Sequence, residues 1–238
     1  MSALVCLTYD DALPVHREVV APLLAERGLR GTFYIPAARD DLHEHLNGWR
    51  TVAAMGHELG NHSCFHPCRT RAEWEWKPPY RLEEYTRGRV HDELQLANRI
   101  LQLIDGRSQR SYGATCSDLT VGEGESFVVD IPDLFRVVRS GHTDHPLTGS
   151  MPFVAPALFV DFMRADEVIV IVESMRGQNN AWLVIGMHGV GAGTHNNIME
   201  ADEHRRLVDW IASQRDWLEA VTVLEAAHQL QKTGDEHG

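Results

Sequence analysis

The chain has 238 residues, 43% of them hydrophobic and 24% charged, a composition that suits one well-buried core and excludes a disordered or fibrous protein. Acidic residues outnumber basic ones 34 to 22, and the formal charge of −12 argues against nucleic acid or an anionic membrane as the main partner. The apolar run Val168-Ile169-Val170-Ile171-Val172 falls far short of the roughly 20 residues that span a bilayer, so no membrane partner is expected either.

Leu4-Val5-Cys6-Leu7-Thr8 reads as a buried strand whose carboxyl end opens into a loop. Met1 to Thr8 has no basic leader and runs straight into Asp10-Asp11, so no signal peptide is expected, which fits a cytoplasmic chain or one with its leader trimmed. Pro14 starts a helix in which Val15, Val19, Val20, Leu23 and Leu24 recur at helical spacing, and Gly28 stops it. A strand over 31–35 comes next, then helices over 41–55 and 82–104, the latter periodic through Val90, Leu94, Ala97 and Leu101. Further strands are expected at 111–115, 135–138 and 182–187, with a strand end at 221–224, and helices at 166–176, 200–215 and 225–231. The alternation implies a mostly parallel sheet, open or closed, with its chemistry at the carboxyl ends of the strands. One domain over 1–231 and a frayed tail over 232–238 complete the expectation. The cysteines, Cys6, Cys64, Cys68 and Cys116, do not form the pattern of a disulfide framework; the spacing leaves a single bridge open, and free thiols are the favoured expectation.

Three segments carry metal- and proton-handling groups. Asp10 and Asp11 fall where the first strand ends; adjacent carboxylates repel and call for a cation, one to bind it and the other to move protons, although a solvated helix cap would use the same pair. Gly56-His57-Glu58-Leu59-Gly60-Asn61-His62-Ser63-Cys64-Phe65-His66-Pro67 spaces His62 and His66 four apart, so a helical turn or a tight loop aims both imidazoles at one ion. With one Asp oxygen they form a three-ligand site that leaves a position open for water or substrate. The metalloprotease His-Glu-x-x-His spacing is missed by one residue, and a structural zinc on Cys64 and Cys68 would leave the Asp pair unused. His57 reads as a structural histidine. His188 follows the buried run Leu183–Met187 and precedes a Gly-rich loop, which puts it on the same rim as the Asp pair.

In that order, Thr8-Tyr9-Asp10-Asp11, the His62/His66 segment and Ile185-Gly186-Met187-His188-Gly189 resemble the first, second and fifth motifs of the polysaccharide deacetylases, carbohydrate esterase family 4 or NodB-homology enzymes. The resemblance implies a deformed (β/α)7 barrel of the α/β class and a divalent metal, usually zinc, that hydrolyses acetyl groups from an acetylated sugar. It assigns Asp10 as catalytic base, Asp11, His62 and His66 as metal ligands and His188 as general acid. The family's third motif falls near Arg110-Ser111-Tyr112-Gly113, with Tyr112 as candidate oxyanion contact and Arg110 behind it. The Asp that orients the acid has Asp130, Asp133 and Asp144 as candidates. Trp74, Trp76 and Tyr80 are placed either to stack on sugar rings or to pin a long loop. A hydrolase of cyclic amides or ureides on the same fold, and an inactive carbohydrate-binding protein, are the rival functions.

Overall fold

The computed structural model describes residues 2–39 and 41–232. Helix α6 includes Lys232, where the tail was expected to begin, and the rest of that tail lies outside the described residues.

Seven parallel strands close into a ring: β1 (Ala3–Tyr9), β2 (Gly31–Ile35), β3 (Glu58–Asn61), β4 (Tyr112–Gly113), β5 (Val138–His142), β6 (Val154–Phe159) and β7 (Ala181–Met187), with β7 pairing back onto β1 from Leu4↔Trp182 to Tyr9↔Met187. This is the expected deformed (β/α)7 barrel. The deformation has a visible source: an eighth strand, β8 (Leu218–Ala220), takes the first residues of β1 on the edge where β2 takes the last, so that Ala3 faces Leu218 while Tyr9 faces Phe33.

Helices α1 (Ala21–Glu26), α2 (Leu46–Ala54), α3 (Arg87–Asp105), α4 (Ala165–Glu173), α5 (Ala201–Ser213) and α6 (Val223–Lys232) follow the strands. The period-2 alternation of β1 sorts its side chains. Val5, Leu7 and Tyr9 pack with Leu24 of α1, Val52 of α2 and Leu207 of α5, whereas Leu4 and Cys6 pack with Trp182, Val184 and Ala226 of α6. Helix α6 therefore closes the floor of the barrel, and Thr8 and Asp10 continue the inner row upward. The helix expected over 82–104 begins later, at Arg87, because Thr86 caps it with its hydroxyl on the Arg89 amide and a 3-10 turn occupies Leu82–Glu84.

His16 and His204 are buried in the shell around the barrel. His16 accepts from Leu13 N at 3.2 Å and meets His188 O at 2.8 Å, and His204 meets the Tyr9 hydroxyl at 2.9 Å. Burial pushes the pKa of His16 down to about 4 and that of His204 to about 3. In the unfolded chain both titrate near 6.5, so the unfolded state binds more protons below that value. The stability present above pH 6.5 is thus lost as the pH falls toward 4. A melting temperature that declines over this window, and declines less in a His204→Gln variant, is the expected result; a flat profile would contradict the neutral, buried state of these rings.

Candidate active site

The β1 pairing runs one residue past the strand, with Asp10 N–H donating to Met187 O at 3.0 Å, which carries Asp10 to the barrel rim. Asp10 is 3% exposed, and its carboxylate accepts from Arg139 Nη2 at 3.0 and 2.8 Å. Arg139 stands on β5 with its guanidinium over the Tyr34 and Phe159 rings, at 4.7 and 5.1 Å from their centroids. Gly113 makes room for it: a Cβ there would lie 2.7 Å from Arg139 Nη2. Burial alone would raise the Asp10 pKa, but the charges of Arg139, His62 and His188 outweigh it and hold the carboxyl below its ordinary value.

Asp11 (φ 76°) and Ala12 (φ 50°) are both left-handed, a backbone cost of about 1 kcal/mol or more for each non-glycine residue. That turn, held by Arg39 Nη1 on Asp11 O at 2.9 Å, swings the second carboxylate into the same cleft as the first. Asp11 Oδ1 lies 3.2 Å from His66 Nε2 and 3.6 Å from His62 Nε2. His62 immediately follows β3, and its Nδ1 donates to Gly113 O at 2.7 Å; a carbonyl can only accept, so the proton is on Nδ1 and Nε2 offers its lone pair toward Asp11. His66 is reached by a loop with left-handed Ser63 and His66 (φ 60° and 53°), not by a helical turn. Among the described residues, Asp11, His62 and His66 have ligand atoms all within 4.8 Å of one another, and an O,N,N set of this kind suits a divalent ion with open positions.

His188 follows β7. Asp161 grips it twice, with Oδ1 accepting from the His188 amide at 3.0 Å and Oδ2 from the ring Nδ1 at 2.7 Å. Burial disfavours a charged imidazole, yet the Asp161 hydrogen bond and the nearby carboxylates prevail and push its pKa up to about 9.

These five residues line one cleft of about 1330 Å³, together with Trp74, Trp76, Tyr80, Phe159 and His195. The aromatics expected beside the site are therefore on its wall, with Trp76 half exposed and Tyr80 stacked on Phe65 at 4.8 Å.

Other expectations are corrected. Tyr112 is outside the cleft: its ring stacks on Phe135 at 5.3 Å and its amide is used by Val137 O at 3.1 Å, so neither serves as an oxyanion contact. Arg110 is a buried structural residue paired with Asp105 at 3.1 Å and with Leu59 O at 2.6 Å. Asp130 pairs with Arg87, Asp133 lies 3.8 Å from His91, and Asp144 bonds His145 at 2.6 Å; none of them touches His188. The partner of His188 is Asp161, which sequence reasoning missed along with its strand β6, because Pro156 interrupts the run. The available signal was an apolar run ending in Val160-Asp161, the same pattern that exposed Asp10. Arg139 was missed too, since a charged residue inside a strand looks like surface.

The cysteines are corrected as well. Cys68 and Cys116 form a disulfide between the loop after β3 and the loop after β4, and only Cys6 and Cys64 are free thiols. Cys64 Sγ donates to Glu93 O at 3.5 Å and Cys68 Sγ is bonded to Cys116, which removes a shared zinc on those two sulfurs. His57 is structural, as expected: it accepts from Gly31 N at 3.1 Å and meets Ala21 O at 3.0 Å.

The family model described as polysaccharide deacetylase matches residues 2–120, half of the chain. The chain belongs to the polysaccharide deacetylase family. Among solved structures, a putative polysaccharide deacetylase from Mycobacterium smegmatis is similar over 98% of this chain and 91% of its own, with a TM-score of 0.65 and 16% identity. The peptidoglycan deacetylase PdaC from Bacillus subtilis is similar over 98% and 94%, with a TM-score of 0.60 and 15% identity. A family 4 acetyl xylan esterase from Clostridium thermocellum, in complex with a cobalt ion, covers 95% and 91%, with a TM-score of 0.58 and 17% identity. No curated protein matches the chain. At these identities the solved neighbours speak for the barrel, which this family member shares with all three.

Proposed function

We propose that the cleft is the active site of a metal-dependent hydrolase that removes an N- or O-linked acetyl group from a carbohydrate. The observation that carries this reading is the convergence of two opposed proton-handling groups on one O,N,N donor cluster: Asp10 held ionised by Arg139, and His188 held protonated by Asp161, both beside Asp11, His62 and His66.

Asp11, His62 and His66 are the residues that would hold the ion, and zinc fits their donor set. When bound it supplies a Lewis acid that polarises the acyl oxygen and acidifies water. The chain's own groups do the rest. Asp10 accepts the proton of the attacking water, which its lowered pKa permits at neutral pH. His188 gives its proton to the departing nitrogen or oxygen as the bond to the acyl carbon breaks, so acetate and the free sugar amine or alcohol leave. Trp74 and Trp76 offer apolar faces on which a sugar ring can stack.

Elemental analysis tests the first half. Wild-type protein is expected to carry one divalent ion per chain, and His62→Ala and His66→Ala each to lose it together with turnover; full metal and normal activity in either variant would move the site elsewhere. The substrate half is tested on one panel holding N-acetylated sugars, O-acetylated sugars and cyclic imides. Acetate release from a sugar supports the proposal, and turnover of the imides alone overturns it.

A further inference from the structure

We propose that Cys68 and Cys116 are a redox-gated second metal site: reduction of their disulfide opens a two-thiolate, one-imidazole pocket that competes with the Asp11 cluster for His66. The starting point is the ring of His66, which stands between two donor clusters. Its Nε2 faces Asp11 Oδ1 at 3.2 Å, and its Nδ1 faces Cys68 Sγ at 3.6 Å. The ligand atoms of His66, Cys68 and Cys116 all lie within 4.8 Å of one another, as do those of Asp11, His62 and His66. His62 has its Nδ1 proton fixed by Gly113 O, whereas among the described residues the Nδ1 of His66 meets sulfur. A neutral imidazole has one lone-pair nitrogen, so His66 serves one cluster or the other.

The geometry after reduction suits an ion. The two Cα atoms are 5.7 Å apart, and two Zn–S bonds of about 2.3 Å at a tetrahedral angle span a sulfur separation of about 3.8 Å, which thiols on this backbone reach by side-chain rotation. Two thiolates and one imidazole form a soft set that selects zinc, cadmium or copper(I) over harder ions, in contrast to the oxygen-bearing Asp11 cluster.

Access and release are also built in. Cys68 is fully buried, whereas Cys116 is partly exposed and lines the cleft, so a dithiol enters from the substrate side. One thiolate of the dithiol attacks Cys116 Sγ, the Sγ–Sγ bond breaks, and its electron pair leaves on Cys68 Sγ, which takes up a proton. The second thiol of the reagent then displaces the Cys116 thiol; the dithiol is oxidised to its own disulfide and two electrons and two protons have reached the protein. Binding an ion between the two sulfurs releases those two protons. The freed loop contains consecutive left-handed residues, Cys116 (φ 52°) and Ser117 (φ 58°), whose backbone is costly for non-glycine residues and gains freedom when the cross-link is gone. The sulfur site stands on its own geometry; the competition for His66 rests on the metal reading of the Asp11 cluster.

Cobalt(II) is the probe, because thiolate ligands give a charge-transfer absorption that oxygen and nitrogen ligands do not. Oxidised wild-type protein is expected to bind one equivalent without that band. After phosphine reduction and removal of the reagent, the band is expected to appear, and one equivalent of cadmium is expected to abolish deacetylation in the reduced protein and spare the oxidised one. Cys68→Ser/Cys116→Ser is expected to show no band under either condition and no cadmium sensitivity, and reduced wild type alkylated at its thiols provides the same control should the double variant fold poorly. A reduced wild type without the band overturns the proposal, and so does an equal band and affinity in His66→Gln. If oxidised protein binds no cobalt while reduced protein shows the band, the Asp11 reading has failed and the sulfur site has not.

Discussion

Asp10→Asn is expected to lower acetyl-sugar turnover by about 10²-fold or more while the metal content stays at the wild-type level, the scale for losing a positioned general base. The amide fills the same space and can still accept from Arg139 through its oxygen, but it takes no proton from water. Two features make this substitution sharper than an alanine. The Asp10 carboxylate is nearly fully buried and accepts from Arg139 Nη2 with both oxygens, so alanine would leave a buried guanidinium without its anion, a loss that costs about 3–5 kcal/mol in other buried pairs and would confuse folding with catalysis. Asp11, by contrast, is the carboxylate beside both His62 and His66. Metal loss in Asp10→Asn with retained activity of Asp11→Asn would reverse the two roles. The assay is turnover at saturating substrate with elemental analysis on the same sample.

The second large effect belongs to His188 and Asp161. His188→Ala is expected to slow release of an amine from an N-acetyl sugar far more than hydrolysis of an activated aryl acetate, whose phenolate leaves without a proton. Equal losses on both substrates would make His188 a structural residue. Asp161→Asn addresses the same proton through pH. In the wild type the imidazole gains its proton on the way down through about pH 9, so the acid form prevails at neutrality and is lost as the pH rises through that value. Without the Asp161 carboxylate the hydrogen bond weakens and one negative charge goes, the pKa falls, and the alkaline limb of the rate profile on the N-acetyl sugar is expected to move to lower pH. An unmoved limb would mean that Asp161 holds the backbone amide of His188 and leaves its proton untouched.

What could be read from the chain without its structure follows the physics of strand ends. Asp10 and His188 were legible because each stands at the end of an unbroken apolar run, and His62 and His66 because two imidazoles and a proline in six residues are hard to explain as packing. Asp161 was illegible for a local reason, since Pro156 sits in the strand that delivers it. Arg139 and Gly113 were illegible for a non-local one: the cation that neutralises Asp10 comes from one strand and the space for it from its neighbour, and no spacing in a single segment encodes such a division. The Cys68–Cys116 pairing across 48 residues is of the same kind, as is the fit of β8 beside β2 on β1.

That last fit sets an order of events during synthesis. Within this sequence β1 precedes two of its partners by most of the chain: Thr8 Oγ1 donates to Ile185 O across 177 positions, and β8 comes later still. Until then one flank of β1 is an open, largely apolar edge, the kind that recruits other nascent chains, and pairing over so long a span is slow to form. The donor atoms of Asp11, His62 and His66 are all made within the first third of the chain, whereas His188 and its Asp161 come from the final third. An ion present during translation therefore has a nucleus to gather well before the acid is in place, and yields of folded protein should rise with metal in the growth medium even in a His188→Ala background.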